Sequence, residues 1–598
     1  MHRLSRVLTE RRAAGRDRRR LSLRAVPYVV YLVGAVAVLH HLWADPGGVV
    51  LRDNYPDQVQ FEWFLTNGAN AIGHLENPLF TAKLNAPYGV NLMANTSMLA
   101  LALPLAPVTL TLGADVTFVL VDTLALAGTA SAWFFVLSRL LNHRVAAAIG
   151  GAFCGFAPAM ISHATGHPNI VAQFALPFIV LVVLRLGGPD GGPDGGHVRR
   201  GLVLAGLVVV QAFINEELLL FTALALGVFL GAYAASRPGE VLPRVRGALL
   251  SLATTALAAG AALAYPLYVQ FFGRGAYHGL PDDVVLYGAD VASYWSFARR
   301  SLGGGLRIVD GLAQNPTEEN SFFGFPLLLA LAVVVVWLRR DAVVRALAVT
   351  GLVFAVLSFG SRPRLAGADL RMPMPWGLLD GLPLFDSVVP TRFALVVTPV
   401  VGCLLAIAVL RYDGMVTEPA DGAPSAGARV AGLLVLALML GPLLPTPLPA
   451  SARPPVPAFF TAGTYRDHLP PDAVVLGVPP GWGPDLRTMQ WQTATKLDFT
   501  IVGGYFLAPA PRTSDRTGRF GPVHPPTLSM LLDVAERRVA IEATATLRAQ
   551  AAVDFRALGV TTLVLPAGHP TATELRRMVD GLAGPGRLVA DVWIWDVR

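Results

Sequence analysis

The sequence predicts a polytopic α-helical membrane protein of about 11–12 transmembrane helices, with a small α/β domain at its C-terminal end. Three observations predict the helical membrane class and the appended domain. Of 598 residues, 54% are hydrophobic and 15% charged, against roughly 25% charged in an ordinary soluble chain. Apolar runs recur at the length of about 18 residues that a helix needs to cross the hydrocarbon core. Beyond residue 450 the composition becomes ordinary and the apolar runs shrink to strand length.

Each element follows in order. The first 24 residues carry nine arginines and two acids, then stop where "AVPYVVYLVGAVAVLHHLW" begins. Basic flanks are retained on the cytoplasmic side, so residues 1–25 read as a cytoplasmic tail ahead of an uncleaved anchor, span 26–43. Apolar segments follow at 97–112, 116–137, 145–162 and 169–185, then the Gly/Pro linker "GGPDGGPDGGHVRR" (187–200). The 35 residues 201–235 are too long for one crossing and contain "NEE", which predicts a hairpin turning at 215–217. Further spans are expected at 248–271, 323–338, 343–359, 393–410 and 430–448. Arginines in 138–144, 236–246 and 339–345 place those loops inside. That parity puts large loops 44–96 and 272–321, and the C-terminal domain 450–598, outside. It also leaves one span too many. The segment 97–112, with two prolines in "ALPLAPVT", is therefore expected to cross only halfway, giving 11 full spans ahead of 12. The expected location is the plasma membrane, with an inside N-terminus and an extracytoplasmic C-terminal domain.

The net charge of +7 does not point to nucleic acid, because the basic residues sit at span ends and arginine dominates as genome composition dictates. Cys154 and Cys403 lie in apolar runs with no metal-ligand spacing. In the last 150 residues "DAVVLGVPP" and "VTTLVLPAG" read as buried strands, and "GRLVADVWIWDVR" as a closing strand pair. No phosphate loop, HExxH, GxSxG or CxxC marks that domain as catalytic on its own.

The chemistry-bearing residues crowd one expected face. They are Asp53, Asp57 and Glu62 directly after the first span, "HATGHPN" with His167, Glu216 and Glu217 at the hairpin, "HGLPDD", "NPTEEN", Arg364 in "SRPR", and Arg392 in "VPTRF". Arginine forks bind phosphate, and a carboxylate takes a proton from an attacking hydroxyl. That combination suits an anionic lipid-linked substrate at a membrane surface.

The stretch "RDNYPDQVQFEWFLTNGANAIGHLENPLFTAKLNAPYGVNLMANTS" resembles the first external loop of bacterial GT-C integral membrane glycosyltransferases, particularly the YfhO-like branch. "GHPN", "VPTRF" and "MQWQTATKLDFTIVGGY" are similar to that branch in the same order along the chain. The resemblance implies a polyprenyl-phosphate-linked sugar donor, a cell-envelope glycan or glycolipid acceptor, and an outward active site among membrane lipids. It implies Asp57 or Asp53 as the base, with "RDNYPD" replacing a tighter acidic pair. Arg392, Arg364, His167, Glu216 and Glu62 are the expected substrate-binding residues. No metal is assigned and no cofactor is obligatory, although a divalent cation is compatible with the acids.

Plainer roles stand beside these. Loop acids keep loops soluble, Glu62 can face water from an interfacial helix, His163 and His167 can cap a helix end, and Arg392 can snorkel to headgroups. Two other functions remain open: a transporter or flippase of lipid-linked saccharides, and a non-catalytic scaffold of envelope assembly. Transporters tend to show internal repeats with broken helices, and the chain shows no such repeat.

Overall fold

The computed structural model describes residues 25–187, 196–281, 286–306, 311–417, 426–483, 485–509, 516–539 and 541–598. The basic tail, most of the Gly/Pro linker, and Asp282 and Asp283 of "HGLPDD" lie outside them.

Six helices are long and apolar enough to cross a membrane, and Ala25–Val38, Pro168–Val183, Phe325–Trp337 and Ala342–Ser358 are shorter apolar helices. The elements that build the site are α1 (Tyr55–His74), α2 (Ala114–Leu141), α3 (Arg144–Phe156), α4 (Glu216–Ser236), α5 (Val245–Phe272) and α6 (Ala394–Thr417). Helix α3 packs closely between α2 and α6 because glycines line it. A Cβ on Gly151 would stand 2.8 Å from the Ala130 carbonyl. The 97–112 segment forms two short helices, Leu99–Ala102 and Ala106–Leu112, rather than a full crossing. The hairpin turns at 213–215, where the Asn215 side chain accepts from Leu218 N and caps α4. Cys154 and Cys403 are free thiols.

Helix α1 does not lie in the interface with one face in water. Thirteen of its residues are buried, because its polar stripe packs against polar partners rather than solvent. Gln58 donates to Glu62 at 2.8 Å, Trp63 to Gln492 at 2.8 Å, and Asn70 to the Lys496 carbonyl at 2.6 Å. The last two partners belong to the C-terminal domain, which sits directly on α1.

That domain holds α7 (Arg487–Ala494) and strands β1 (Val474–Gly477), β2 (Thr500–Ile501), β3 (Thr562–Pro566), β4 (Arg587–Val589) and β5 (Val592–Asp596). The sheet order is β4-β5-β3-β1-β2, with β3, β1 and β2 parallel and β5 antiparallel to both of its neighbours, β3 and β4. Beyond β2, Ile501 N bonds Lys83 O and Ala86 N bonds Ile501 O, so the first large loop extends the sheet. Residues 49–51 pair with 450–452, tying the loop to the start of the domain. Both contacts hold the parallel strand ends against α1.

Candidate active site

The N-terminus of α1 is built by "DNYPD". Pro56 fits the first turn, where its missing N–H costs nothing. The turn brings Asn54 within 2.5 Å of Asp57 Oδ2. Opposite lies "TGHPN". Gly166 has φ +112, and a Cβ there would come within 2.8 Å of Asn54 Nδ2, so both the backbone angle and the close approach require glycine. This turn delivers His167 Nε2 to 2.8 Å from the same Asp57 oxygen. The Tyr505 side chain, from the loop after β2, also hydrogen-bonds the carboxylate, and Gln60 holds the Tyr505 carbonyl at 2.9 Å.

From His167 a chain of contacts runs inward. His163 and His167 face each other through Nδ1 atoms 3.1 Å apart, and His163 Nε2 lies 2.7 Å from Asn320 Oδ1. Asn320 Nδ2 donates to Glu318 at 2.7 Å. Glu318 accepts from Arg392 Nη2 at 2.7 Å, and Arg392 Nη1 reaches Glu217 at 2.9 Å. His163 is 0% exposed and Glu318 4%. The loop "NPTEEN" is pinned to the histidine-bearing helix by Ser162, which donates to Pro316 O and accepts from Glu319 N.

Hydrogen-bond polarity assigns the protons. Glu318 is acceptor-only, so the Asn320 amide turns its NH₂ there and its oxygen to His163, which must donate from Nε2. His163 then accepts at Nδ1 from His167, whose Nε2 lies against the Asp57 carboxylate. Burial alone would raise Asp57, but the His167 charge and hydrogen bonds from His167, Asn54 and Tyr505 hold it below its ordinary value. Burial likewise opposes ionisation of Glu318, and the Arg392 charge outweighs it, holding that acid at about 2. Tyr505 is pushed up, by burial first and then by Asp57.

Ligand atoms of His163, His167 and Glu318 lie within 4.8 Å of one another. Two imidazoles and a carboxylate suit a divalent ion such as zinc or manganese. The shared proton between the two Nδ1 atoms is what such an ion would replace, leaving Asp57 and Asn320 to orient the two rings.

The other expected residues are placed differently. Asp53 is clamped by Arg300, which donates from Nε at 3.1 Å and from Nη2. Glu62, 2% exposed, accepts from both Arg453 terminal nitrogens at 2.7 Å and faces away from Asp57. Glu216 accepts from Gln270 on α5 at 2.6 Å, while its neighbour Glu217 meets Arg392. Arg364 bonds the Gly288 carbonyl at 3.2 Å. The structure thus gathers Asp57, His167 and Arg392 into one chain and leaves Asp53, Glu62, Glu216 and Arg364 in pairings of their own. Asn54 and Tyr505 join the chain without having been singled out, while His163, Glu217, Glu318 and Asn320 had been noted only as polar residues of that face and not as binding or catalytic ones. "GHPN" and "NPTEEN" were the available signals, as polar runs between spans.

The helical bundle capped by an α/β domain shares its fold with a solved membrane glycosyltransferase. The chain belongs to the family described as a domain of unknown function, DUF6311, whose model matches residues 71–439. No curated protein matches. Among solved structures, arabinofuranosyltransferase AftD from Mycobacteria superposes with a TM-score of 0.56 at 15% identity, covering 96% of this chain. This chain spans only 39% of the length of AftD. The Archaeoglobus fulgidus oligosaccharyltransferase AglB, with an inhibitory peptide and a dolichol-phosphate, gives 0.46 at 11% identity, covering 91% and 69% of the two chains. ArnT from Cupriavidus metallidurans, bound to undecaprenyl phosphate, gives 0.44 at 11% identity, covering 97% and 98%.

Proposed function

We propose that the protein transfers one sugar from a polyprenyl-phosphate-linked donor to a cell-envelope glycan or glycolipid at the outer membrane face, with Asp57 as base. The observation that carries this reading is the placement of Asp57: a carboxylate held by Asn54, His167 and Tyr505 and linked through buried polar groups to Arg392. The AftD likeness supports glycosyl transfer as the reaction class.

In the proposed step the acceptor oxygen bonds the anomeric carbon while the carbon–oxygen bond to phosphate breaks. The acceptor proton passes to Asp57, and polyprenyl phosphate leaves with the electron pair. A hydroxyl becomes strongly acidic once its oxygen is bonded to that carbon, so a carboxylate of depressed pKa still accepts the proton late in the step. One positioned base suffices, unlike the two carboxylates of a glycoside hydrolase. Arg392 stabilises the leaving phosphate by exchanging one of its two carboxylates for it. A divalent ion held by His163, His167 and Glu318 would add positive charge for the same phosphate.

A cavity of about 640 Å³ supports the lipid donor. It begins at Leu218, next to Glu217, continues between α4 and α6 along Phe221, Leu395 and Val400, and reaches Tyr233 and Arg244. The fifteen helical steps from Leu218 to Tyr233 span roughly 22 Å, and the apolar lining matches an isoprenoid tail. Purified protein in liposomes, given synthetic polyprenyl-phosphate sugars and envelope glycan, should release polyprenyl phosphate in step with glycosylated product. Facilitated movement of the intact donor across the bilayer without product would replace the transferase by a flippase.

A further inference from the structure

The segment 365–384 lies in the connection between the helix Ala342–Ser358 and α6. It exposes six large apolar side chains: Leu365, Leu370, Met372, Leu378, Leu382 and Leu384. Leu378 is 82% exposed. The described residues of the C-terminal domain expose five such side chains over a stretch several times longer, so this density is not that of a face turned to water. A contiguous apolar surface rimmed by polar residues marks an interaction site.

Helix length identifies what covers it. At the end remote from Arg392, Arg411 Nη2 donates to the Asp341 carboxylate at 3.0 Å, and Arg339, Arg340 and Arg345 are close by in the chain. Such a charged cluster sits at headgroup level. From there Ala342–Ser358 has 17 residues, about 25 Å of helix, whereas the hydrocarbon core is about 30 Å thick. That helix therefore ends about 5 Å short of the opposite boundary, and tilt shortens its reach further. The twenty-one steps from Arg411 back to Pro390, through α6 and its lead-in turn, cover roughly 32 Å and attain that boundary. The chain thus leaves one helix at acyl depth and joins the other at the interface, which seats 365–384 at the headgroup–acyl boundary.

Irregular backbone suits that position only when its polar groups are met. Ala366 and Gly367 donate to the Asp290 carboxylate, and successive turns bond the N–H groups of Gly377, Leu379, Leu382 and Phe385 to carbonyls three residues back. Pro373, Pro375 and Pro383 have no N–H to satisfy. Trp376, 1% exposed, anchors the segment edge-to-face on Phe393 with ring centres 5.5 Å apart.

We propose that residues 365–384 insert among the lipids on the side of Asp57, with acyl chains covering the six apolar side chains. Arg362, Arg364 and Arg371 balance Asp369, Asp380 and Asp386, so insertion draws on apolar burial rather than on anionic headgroups. The two helices joined here also line the donor cavity, through Leu347 and Val400. On the transferase reading the segment therefore flanks the polyprenyl tail; the insertion itself stands without that reading.

The test attaches a nitroxide through Leu378→Cys or Leu382→Cys and, for comparison, through Val553→Cys on an exposed face of the C-terminal domain. The native thiols are removed by Cys154→Ala and Cys403→Ala. The full chain in phosphatidylcholine nanodiscs is then read by EPR power saturation with oxygen and with a nickel chelate. Labels at 378 and 382 should lie about 5–10 Å into the headgroup–acyl boundary, the depth of interfacial segments, and the label at 553 in water. Adding phosphatidylglycerol should leave that depth unchanged. Aqueous labels at 378 and 382 would overturn the proposal, as would shielding from both oxygen and nickel, the mark of a second copy or another protein. Insertion that needs phosphatidylglycerol would assign the segment to headgroups and overturn the acyl-chain assignment. None of these readouts involves transfer, so failure of the insertion and failure of the transferase reading show up separately.

Discussion

Asp57 and Glu62 stand five residues apart on one helix and meet opposite chemistry. Glu62 is locked by a bidentate guanidinium, Arg453, at 2.7 Å through both oxygens. Asp57 is held by an amide, an imidazole and a phenol. A guanidinium does not release its protons, so an arginine-locked acid stays an anion and serves architecture. An acid among groups that exchange protons retains the means to act as a base. Asp53, clamped by Arg300, falls with Glu62 in this division. On the proposed reading, the partner rather than the position after the first span separates a carboxylate fit to act as base from a structural one.

The contrast breaks most visibly at Asp57. Asp57→Asn should lower transfer by about 10²–10⁴, the usual loss for a general base, with little change in melting temperature. Sugar-transfer rates and thermal unfolding on the same preparations check both halves.

On the other face the order reverses. Arg453→Met should cost about 3–5 kcal/mol by leaving Glu62 buried without its partner, and the double variant with Glu62→Leu should recover most of that loss. Denaturation of the three variants measures it, and the activity of each folded molecule should persist.

Arg392→Lys sharpens the middle ground. A single ammonium cannot span Glu217 and Glu318 as the fork does, and losing one charge-assisted bond of about 1.5–3 kcal/mol should cut donor use roughly 10–100-fold. Steady-state kinetics with varied lipid donor would show it. Unchanged kinetics would assign Arg392 to the structural set.

Asp53→Asn should cost only about 1 kcal/mol, because its pair with Arg300 is partly exposed, and leave the transfer rate within about twofold. The smallest effect belongs to Asp485 at the sheet end. Burial would raise it, but the hydrogen bonds and charge of Arg487, with His569 at 3.8 Å, hold it well below 3.8. Its contribution is complete above that unfolded value and is lost as pH falls toward the folded one. The stability difference between the protein and Asp485→Asn should therefore stay flat from about pH 8 to 5 and shrink below about pH 4.

The long apolar runs made the six helices of spanning length, the hairpin before α4 and the broken 97–112 segment legible, because crossing a bilayer fixes helix length; four further expected spans are shorter apolar helices among the described residues. Strands β1 and β3 were legible from short β-branched runs ended by proline and glycine. Helix α1 was not. Its stripe of Gln58, Glu62, Thr66 and Asn70 reads as a wetted face, and only the C-terminal domain reveals that the stripe is buried. The arginine partners were hidden for a related reason. Arg300 lies 247 residues from Asp53, and Arg453 lies 391 from Glu62, so no local pattern joins them. Of the buried chain, Asp57, His167 and Arg392 stood out as polar residues at span ends. Asn320 and Tyr505 gave no signal of their own, since an asparagine and a tyrosine in loops are ordinary until folding places them beside charge.

The most direct test pairs donor binding with turnover in one preparation of Asp57→Asn. Affinity for a polyprenyl-phosphate sugar is measured in nanodiscs, and transfer of that sugar to envelope glycan is measured beside it. The account predicts an affinity within about twofold of the unmodified protein and a transfer rate reduced by at least about a hundredfold. Donor binding and transfer both at full strength, in this variant and in its combination with Asp53→Asn, would contradict it.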